Sequence, residues 1–123
     1  MVRGVTFRPD PKPERRHKAT QSEWEHLRAL KLGPCRLCGA VNATLHHVIH
    51  RGAGRGDDVA DNLVPLCGDG TRGCHGKAEA RDPYVLAAIR AALTPDELAY
   101  CIGKVGAGRF DRMYPTMEER KAA

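Results

Sequence analysis

Two cysteine pairs and a set of imidazoles between residues 35 and 79 have the types and spacing that bind metal and move protons. Cys35 and Cys38 are separated by two residues, Cys67 and Cys74 by six, and 28 residues lie between the pairs. Two short loops that each supply a pair of thiolates can close a tetrahedral zinc site that leaves no position open for water. Zinc held by Cys35, Cys38, Cys67 and Cys74 is therefore expected to be structural. Gly39, Gly68, Gly70 and Gly73 permit the tight turns that aim sulfurs inward. The six-residue gap exceeds the usual spacing of about two to four, so buried free thiols or a disulfide stand as alternatives.

His46-His47 lies between the pairs and His75 directly follows Cys74. Glu79 comes four residues after His75, on the same face of an expected helix. His46, His75 and Glu79 together would give two nitrogens and one oxygen around a divalent ion, with positions left for water and a phosphate oxygen. His47 would then be free to act as a general base, because an unperturbed imidazole titrates near about pH 6.5. Adjacent residues on a regular strand face opposite ways, so both histidines reach one site only if the strand ends, bends or bulges there. A rival helical reading pairs His46 with His50 and would move the metal site. Gly52 and Gly54 would leave such a helix very short.

The elements that must position these groups are legible around them. Overlapping capping-box patterns at Thr20–Glu23 and Ser22–Glu25 open a helix from about Ser22 to Leu32, with Trp24, Leu27 and Leu30 on its apolar side. Trp24 is expected as a core anchor, and Gly33-Pro34 stops the helix. Thr44 to Ile49 reads as a strand, and Asn62 to Leu66 as a second apolar stretch that Pro65 confines to an edge or terminus. A Gly-rich polar loop, residues 51–58, lies between them. A helix is expected to start near His75. Asp82-Pro83 caps the next one to about Leu93, and Thr94-Pro-Asp-Glu97 a further one to about Lys104. Gly103, Gly106 and Gly108 are expected to end regular structure, and the last dozen residues to fray. Cys101 is read as a packed, inert thiol, and His17, His26 and His50 as surface or packing residues.

Only 5% of the 123 residues are aromatic, a thin supply for a core, which favours metal as a supplementary staple. No apolar run reaches the length of about 18 residues that a transmembrane helix needs, and residues 1–18 lack the apolar stretch of a secretory signal. The expectation is a cytoplasmic protein in which clustered cysteines bind metal, with no membrane partner. Of the net charge of +5, residues 1–20 carry +4. This basic arm, broken by Pro9, Pro11 and Pro13, is expected to be mobile. Its Arg15, Arg16 and Lys18 are candidates for nucleic-acid phosphates, the alternative being a solvated tail.

The ordered set Cys35-x2-Cys38, Leu45-His46-His47, Asn62-Leu-Val-Pro-Leu-Cys67 and Cys74-His75 resembles the HNH endonucleases, in the subset stiffened by a structural zinc. Leu66 to Gly76 is similar to a version found in bacteriophages and actinobacteria, in which the wide second cysteine pair is usual. The resemblance covers residues 35–81. It implies an α+β protein with a small ββα-metal core, flanked by an N-terminal helix and C-terminal helices. The divisions are then 1–19 for the arm, 20–34 for the first helix, 35–81 for the core and 82–123 for the C-terminal helices and tail.

The resemblance also implies roles. His46 and His75 match metal ligands, His47 the general base, and Asn62 the residue that pins the loop between hairpin and helix. Glu79 stands where many relatives have a second helix histidine. The activity implied is hydrolysis of phosphodiester bonds in double-stranded DNA with one divalent cation, Mg²⁺ or Mn²⁺, leaving 5′-phosphate and 3′-hydroxyl ends. Arg51 and Arg55 in the Gly-rich loop, and Lys77, are candidates for phosphate contact. Likeness to phage proteins points to a role in genome packaging beside a terminase, with homing and restriction as alternatives, in the host cytoplasm if the chain is phage-encoded. Sequence specificity and oligomeric state are not set by these residues. The competing class is a zinc-stabilised nucleic-acid-binding module without catalysis, which needs the cysteines and the arm but not the ordered histidines.

Overall fold

Thr20 and Thr94 open helices by the same device. Each threonine hydroxyl accepts from the backbone N–H three residues on, at 3.2 Å, while the glutamate there accepts from the threonine N–H at 2.8 Å. The computed structural model describes residues 11–117. Thr20 caps α1 (Gln21–Lys31), and Thr94 caps α4 (Pro95–Val105). Between them come β1 (Ala43–His47), a 3-10 turn at Ala60–Asn62, β2 (Leu63–Cys67), α2 (Gly73–Glu79) and α3 (Pro83–Ala92). Asp82 caps α3 through Tyr84 and Val85, with Pro83 in its first turn.

The two strands form an antiparallel sheet in which Ala43 pairs with Cys67 and His47 with Leu63. Pro65 is tolerated opposite Leu45 because in a two-stranded sheet both strands are edges. β1 stops at His47, two residues short of the expected end, although Val48 and Ile49 remain fully buried. α2 begins at Gly73, two residues earlier than expected, and follows β2 directly. The described chain is thus a small α+β protein with five helices and one two-stranded sheet. None of its helices is long and apolar enough to cross a membrane.

A fifth helix, α5 (Ala107–Met113), lies where Gly103, Gly106 and Gly108 were expected to end regular structure. Gly106, at φ +88°, breaks α4 and starts α5, whereas Gly103 and Gly108 sit inside helices. Phe110 and Tyr114, four residues apart, stack at 5.4 Å between ring centres and are fully buried. They join Val48, Ile49, Val64, Leu66, Ile89, Cys101 and Val105 in the core. Burial of two aromatic rings offsets the propensity cost of the glycines. Burial also pushes the Cys101 thiol up to about 12, so it stays protonated and inert.

Glu97 links this helical layer to the front of the chain. Its carboxylate, 1% exposed, receives Lys31 Nζ at 2.6 Å and Arg36 Nη1 at 2.5 Å. Burial alone would raise its pKa, but Arg36 and Lys31 hold it down at about 2.

The described part of the arm, residues 11–19, departs from expectation. Residues 1–10, with Arg3 and Arg8, lie outside the described residues, as do 118–123. Residues 13–19 are docked along the hairpin loop. Arg55 Nη1 donates to Pro13 O at 3.2 Å, His17 N donates to Asp57 Oδ1 at 2.6 Å, and Ala19 N to Asp58 Oδ2 at 2.9 Å. Trp24 is also displaced from its expected role: it is half-buried, Leu30 is 60% exposed, and only Leu27 of that trio enters the interior.

Candidate functional site

The cysteine loops converge as their spacing predicts. Gly39 takes φ +80° as the chain turns after Cys38, and Gly39 N donates to Cys35 O at 2.9 Å. In the second loop Asp69 and Arg72 pair as a short bridge, and Thr71 donates to Asp69 through both N–H and hydroxyl. That turn absorbs the intervening residues and returns Cys74 to Cys67, whose Sγ accepts from Cys74 N at 3.3 Å. A side chain on Gly73 would place its Cβ 2.4 Å from Cys67 O, so only glycine lets the loop close.

The four ligand sulfurs lie within 4.8 Å of one another, with Cys38 and Cys67 at 3.6 Å, well beyond a disulfide bond. All are free thiols. Burial raises the Cys35 pKa, but backbone hydrogen bonds from Cys38, Cys67 and Leu37 outweigh it and bring the thiol to about 6. The lowered Cys35 pKa favours the thiolate that a metal needs, whereas burial and the neighbouring sulfurs raise Cys74. Four close thiols of this kind can hold a metal such as zinc.

The imidazoles form a second cluster on the other side of β1. His46 is fully buried, with Nδ1 3.2 Å from Glu79 Oε2 and Nε2 3.4 Å from the Tyr114 hydroxyl. Tyr114 donates its own proton to Val48 O at 2.6 Å, so toward His46 its oxygen can only accept. A proton on Nε2 of His46 suits that oxygen and leaves Nδ1 with a lone pair on the Glu79 side, the tautomer that a cation between Nδ1 and the carboxylate would require.

The same logic holds at His75. Thr44 donates its hydroxyl proton to Gly68 O at 2.8 Å, hence accepts from His75 Nδ1 at 2.7 Å, and His75 Nε2 faces Glu79 Oε2 unprotonated at 3.6 Å. Burial, then the neighbouring His75, His50 and His47, drive the His46 pKa down to about 3, so the ring is neutral at pH 7.

His50 completes this cluster. A ring nitrogen of His50, one of His46 and an oxygen of Glu79 lie within 4.8 Å of one another. His50 Nε2 is buried and has no hydrogen-bond partner among the described residues. An orphaned imidazole nitrogen beside two lone pairs and a carboxylate is the donor set of a cation site. Glu79 lies near both His46, at 3.2 Å, and His75, at 3.6 Å, but the metal-capable group is His46, His50 and Glu79 and does not include His75. His50, expected at the surface or in packing, is instead a member of a metal-capable group with His46 and Glu79. It arrives there because the chain turns after β1, with Gly56 N donating to His50 O at 2.8 Å, and no helix joins it to His46.

His47 lies on the opposite face of β1 and is half-buried. Its Nε2 donates to Asp58 Oδ1 at 2.8 Å, because a carboxylate can only accept. Nδ1 is left as the basic nitrogen. Asp58 is 4% exposed and also receives Arg16 Nη2 at 2.7 Å and Ala19 N at 2.9 Å. Burial would raise its pKa, yet Ala19, His47 and Arg16 hold it below the ordinary carboxylate range. Burial lowers the His47 pKa despite Asp58, which keeps the ring neutral. The Trp24 ring meets His47 edge-on at 6.0 Å. A cleft of about 590 Å³ is lined by Trp24, His47, His50, Arg51, His75 and Glu79. The end of β1 and the turn after it thus bring both ring systems to one opening.

Asn62 is fully buried and ties a different loop from the one expected. Its Oδ1 accepts from Ile49 N at 2.7 Å, and Nδ2 donates to Ile49 O and Asp57 O at 3.0 Å each. It therefore clamps the hairpin loop between β1 and β2, which carries His50 and Asp58. Of the basic candidates, Arg51 lines the cleft, while Arg15, Lys18 and Lys77 are exposed and outside it. Arg16 and Arg55 are committed to Asp58 and Pro13 O. Asp58, Trp24, Thr44 and Tyr114 are the site residues that sequence reasoning missed, and His50 entered it only through the rival helical pairing with His46. Comparison with protein-family models, curated proteins and solved structures finds no match to this chain.

Proposed function

We propose that this chain is a metal-dependent DNA endonuclease of the HNH type, with one divalent ion held by His46, His50, His75 and Glu79. The observation that carries the reading is a neutral His47, fixed by Asp58 through Nε2, opening on the same cleft as that cluster. A general base needs its lone pair free and its ring held, and the Asp58 bond provides both. The order β1, β2, α2 around the cluster supports a ββα-metal core, and the four-thiol site supports zinc as its staple.

Bound there, a hard divalent ion such as Mg²⁺ or Mn²⁺ would polarise the scissile phosphate and stabilise charge on the departing oxygen. His47 Nδ1 takes a proton from water as the water oxygen bonds to phosphorus. The P–O3′ bond breaks, and O3′ leaves with the bonding electrons and is protonated by solvent. The products are a 5′-phosphate and a 3′-hydroxyl. Asp58 keeps the imidazole oriented and stabilises the imidazolium that forms, without accepting its proton. Arg51 on the cleft edge is placed to contact a phosphate oxygen.

The test is nicking of supercoiled plasmid by zinc-loaded protein with Mg²⁺ or Mn²⁺, beside His47→Ala. The reading expects metal-dependent nicking with 5′-phosphate ends, reduced by about 10²-fold or more in the variant. Equal nicking by the variant, or none with any divalent metal, would reject it. Salt-sensitive DNA binding without cleavage would instead favour the non-catalytic zinc module.

A further inference from the structure

The segment that precedes α1 runs along the hairpin loop, and three of its residues turn inward. Pro13, Arg16 and Ala19 are buried or half-buried, while the residues between them are exposed. Inward positions at every third residue mark one edge of an extended chain with about three residues per turn. That period selects Arg16, and neither Arg15 nor Lys18, as the cation that enters the loop.

The Asp58 carboxylate is filled from two sides. Oδ1 accepts from His47 Nε2 at 2.8 Å and from Arg16 Nη2 at 2.7 Å, and Oδ2 accepts from Ala19 N at 2.9 Å. Two of these three donors come from the segment before α1. Arg16 Nε also donates to Gly56 O at 3.1 Å, which fixes the guanidinium against the loop backbone as well as the acid. The adjacent Asp57 fastens the same segment to α4, accepting from His17 N at 2.6 Å, Tyr100 Oη at 2.6 Å and Lys104 Nζ at 3.0 Å. A buried carboxylate stays charged and in place only while its donors and counter-charge remain. Arg16 supplies a permanent charge, and its planar guanidinium sets direction as well as distance.

We infer that Arg16 is a positioning residue for the proposed hydrolysis: with Ala19 it holds Asp58 in the orientation that presents Oδ1 to His47 Nε2. The segment before α1 is then a wall of the active centre, and Arg16 acts through Asp58 and touches no phosphate. The inference rests on the nuclease reading for its catalytic consequence, but the geometry it requires at His47 can be read without any cleavage.

The experiment compares full-length, zinc-loaded parent, Arg16→Met, Arg16→Lys and the exposed control Arg28→Ala in steady-state nicking with Mg²⁺ or Mn²⁺. A positioning role predicts that Arg16→Met lowers kcat by about 10- to 100-fold and leaves KM for DNA and its salt dependence unchanged, with no change for the control. Arg16→Lys, which keeps the charge and loses the planar fork, should recover part of that loss. In an Asp58→Asn background the same Arg16→Met change should alter kcat by less than about twofold, because the group it acts through is already gone. Imidazole ¹⁵N shifts, recorded without Mn²⁺, should place the proton on His47 Nε2 in the parent and show a mixture of tautomers in Arg16→Met. Thermal unfolding identifies a variant that fails to fold, and if Arg16→Met does, Arg16→Lys carries the kcat and tautomer measurements. A raised KM with a salt slope shallower by about 1 and an intact kcat would make Arg16 a phosphate contact and overturn the inference. An unchanged His47 tautomer, or equal losses of kcat in the two backgrounds, would overturn it as well. Absence of nicking by the parent overturns the nuclease reading, and the tautomer still decides whether Arg16 positions Asp58 against His47.

Discussion

His47 and Asp58 share a hydrogen bond of 2.8 Å between Nε2 and Oδ1, and the same oxygen receives Arg16 at 2.7 Å. The imidazole is thus oriented by a carboxylate that is itself oriented by the N-terminal segment. Asp58→Asn keeps the shape but can present an amide N–H to Nε2, which selects the wrong tautomer. Nicking should fall by about 10²-fold or more while the thermal midpoint moves far less than the rate. A variant as active as the parent would show that Asp58 does not orient the base.

Tyr114→Phe removes the hydroxyl that faces His46 Nε2 and keeps the buried ring. Loss of such a supporting partner weakens a metal site by roughly 10- to 100-fold. Mn²⁺ titration followed by quenching of Trp24, the single tryptophan, reads this directly because that ring lines the same cleft. His50→Ala should weaken the same titration, and unaltered Mn²⁺ affinity in both variants would remove His50 and Tyr114 from the site.

Gly56 packs against the clamp made by Asn62. A Cβ there would lie 1.7 Å from Ile49 O and 2.8 Å from Asn62 Nδ2. Gly56→Ala must push the loop off Asn62, and Asn62→Ala leaves the Ile49 N–H and two carbonyls without their partner. Each should cost about 2–4 kcal/mol in urea unfolding and abolish nicking, since the loop carries His50 and Asp58.

The Glu97 carboxylate titrates at about 2 in the fold against an ordinary 4.5. A depressed folded pKa means that its stabilisation is complete above about pH 4.5 and disappears as pH falls toward about 2. Glu97→Gln should therefore be clearly less stable than the parent at pH 7, by about 3 kcal/mol, with the gap closing on acidification. A gap that is constant with pH would mean that Lys31 and Arg36 do not sense the charge.

Chelation of the cysteine site should lower the thermal midpoint sharply, and Cys35→Ser should do the same with loss of bound zinc by elemental analysis. Retention of one zinc per chain by Cys35→Ser would exclude Cys35 as a ligand.

What the sequence disclosed was whatever is written in short spacings. The caps at Thr20, Asp82 and Thr94, the cysteine loops, and the His75–Glu79 pair all depend on neighbours within about four residues. What it hid depends on contacts made across the chain. Asp58 looks like one of two loop acids until Arg16 and Ala19, about forty positions upstream, fold onto it. His50 has no local motif, because a bend after β1 and not a helical repeat carries it to Glu79. α5 was obscured by glycines whose conformational cost is offset only once Phe110 and Tyr114 are buried. Trp24 has the helical spacing of a core residue, and only the placement of α1 beside His47 puts it in a cleft.

The Tyr114 hydroxyl supports a ligand 68 positions upstream. The hydrogen bonding of the buried imidazole is therefore completed only when α5 docks, whereas the four cysteines are gathered by loops that precede it.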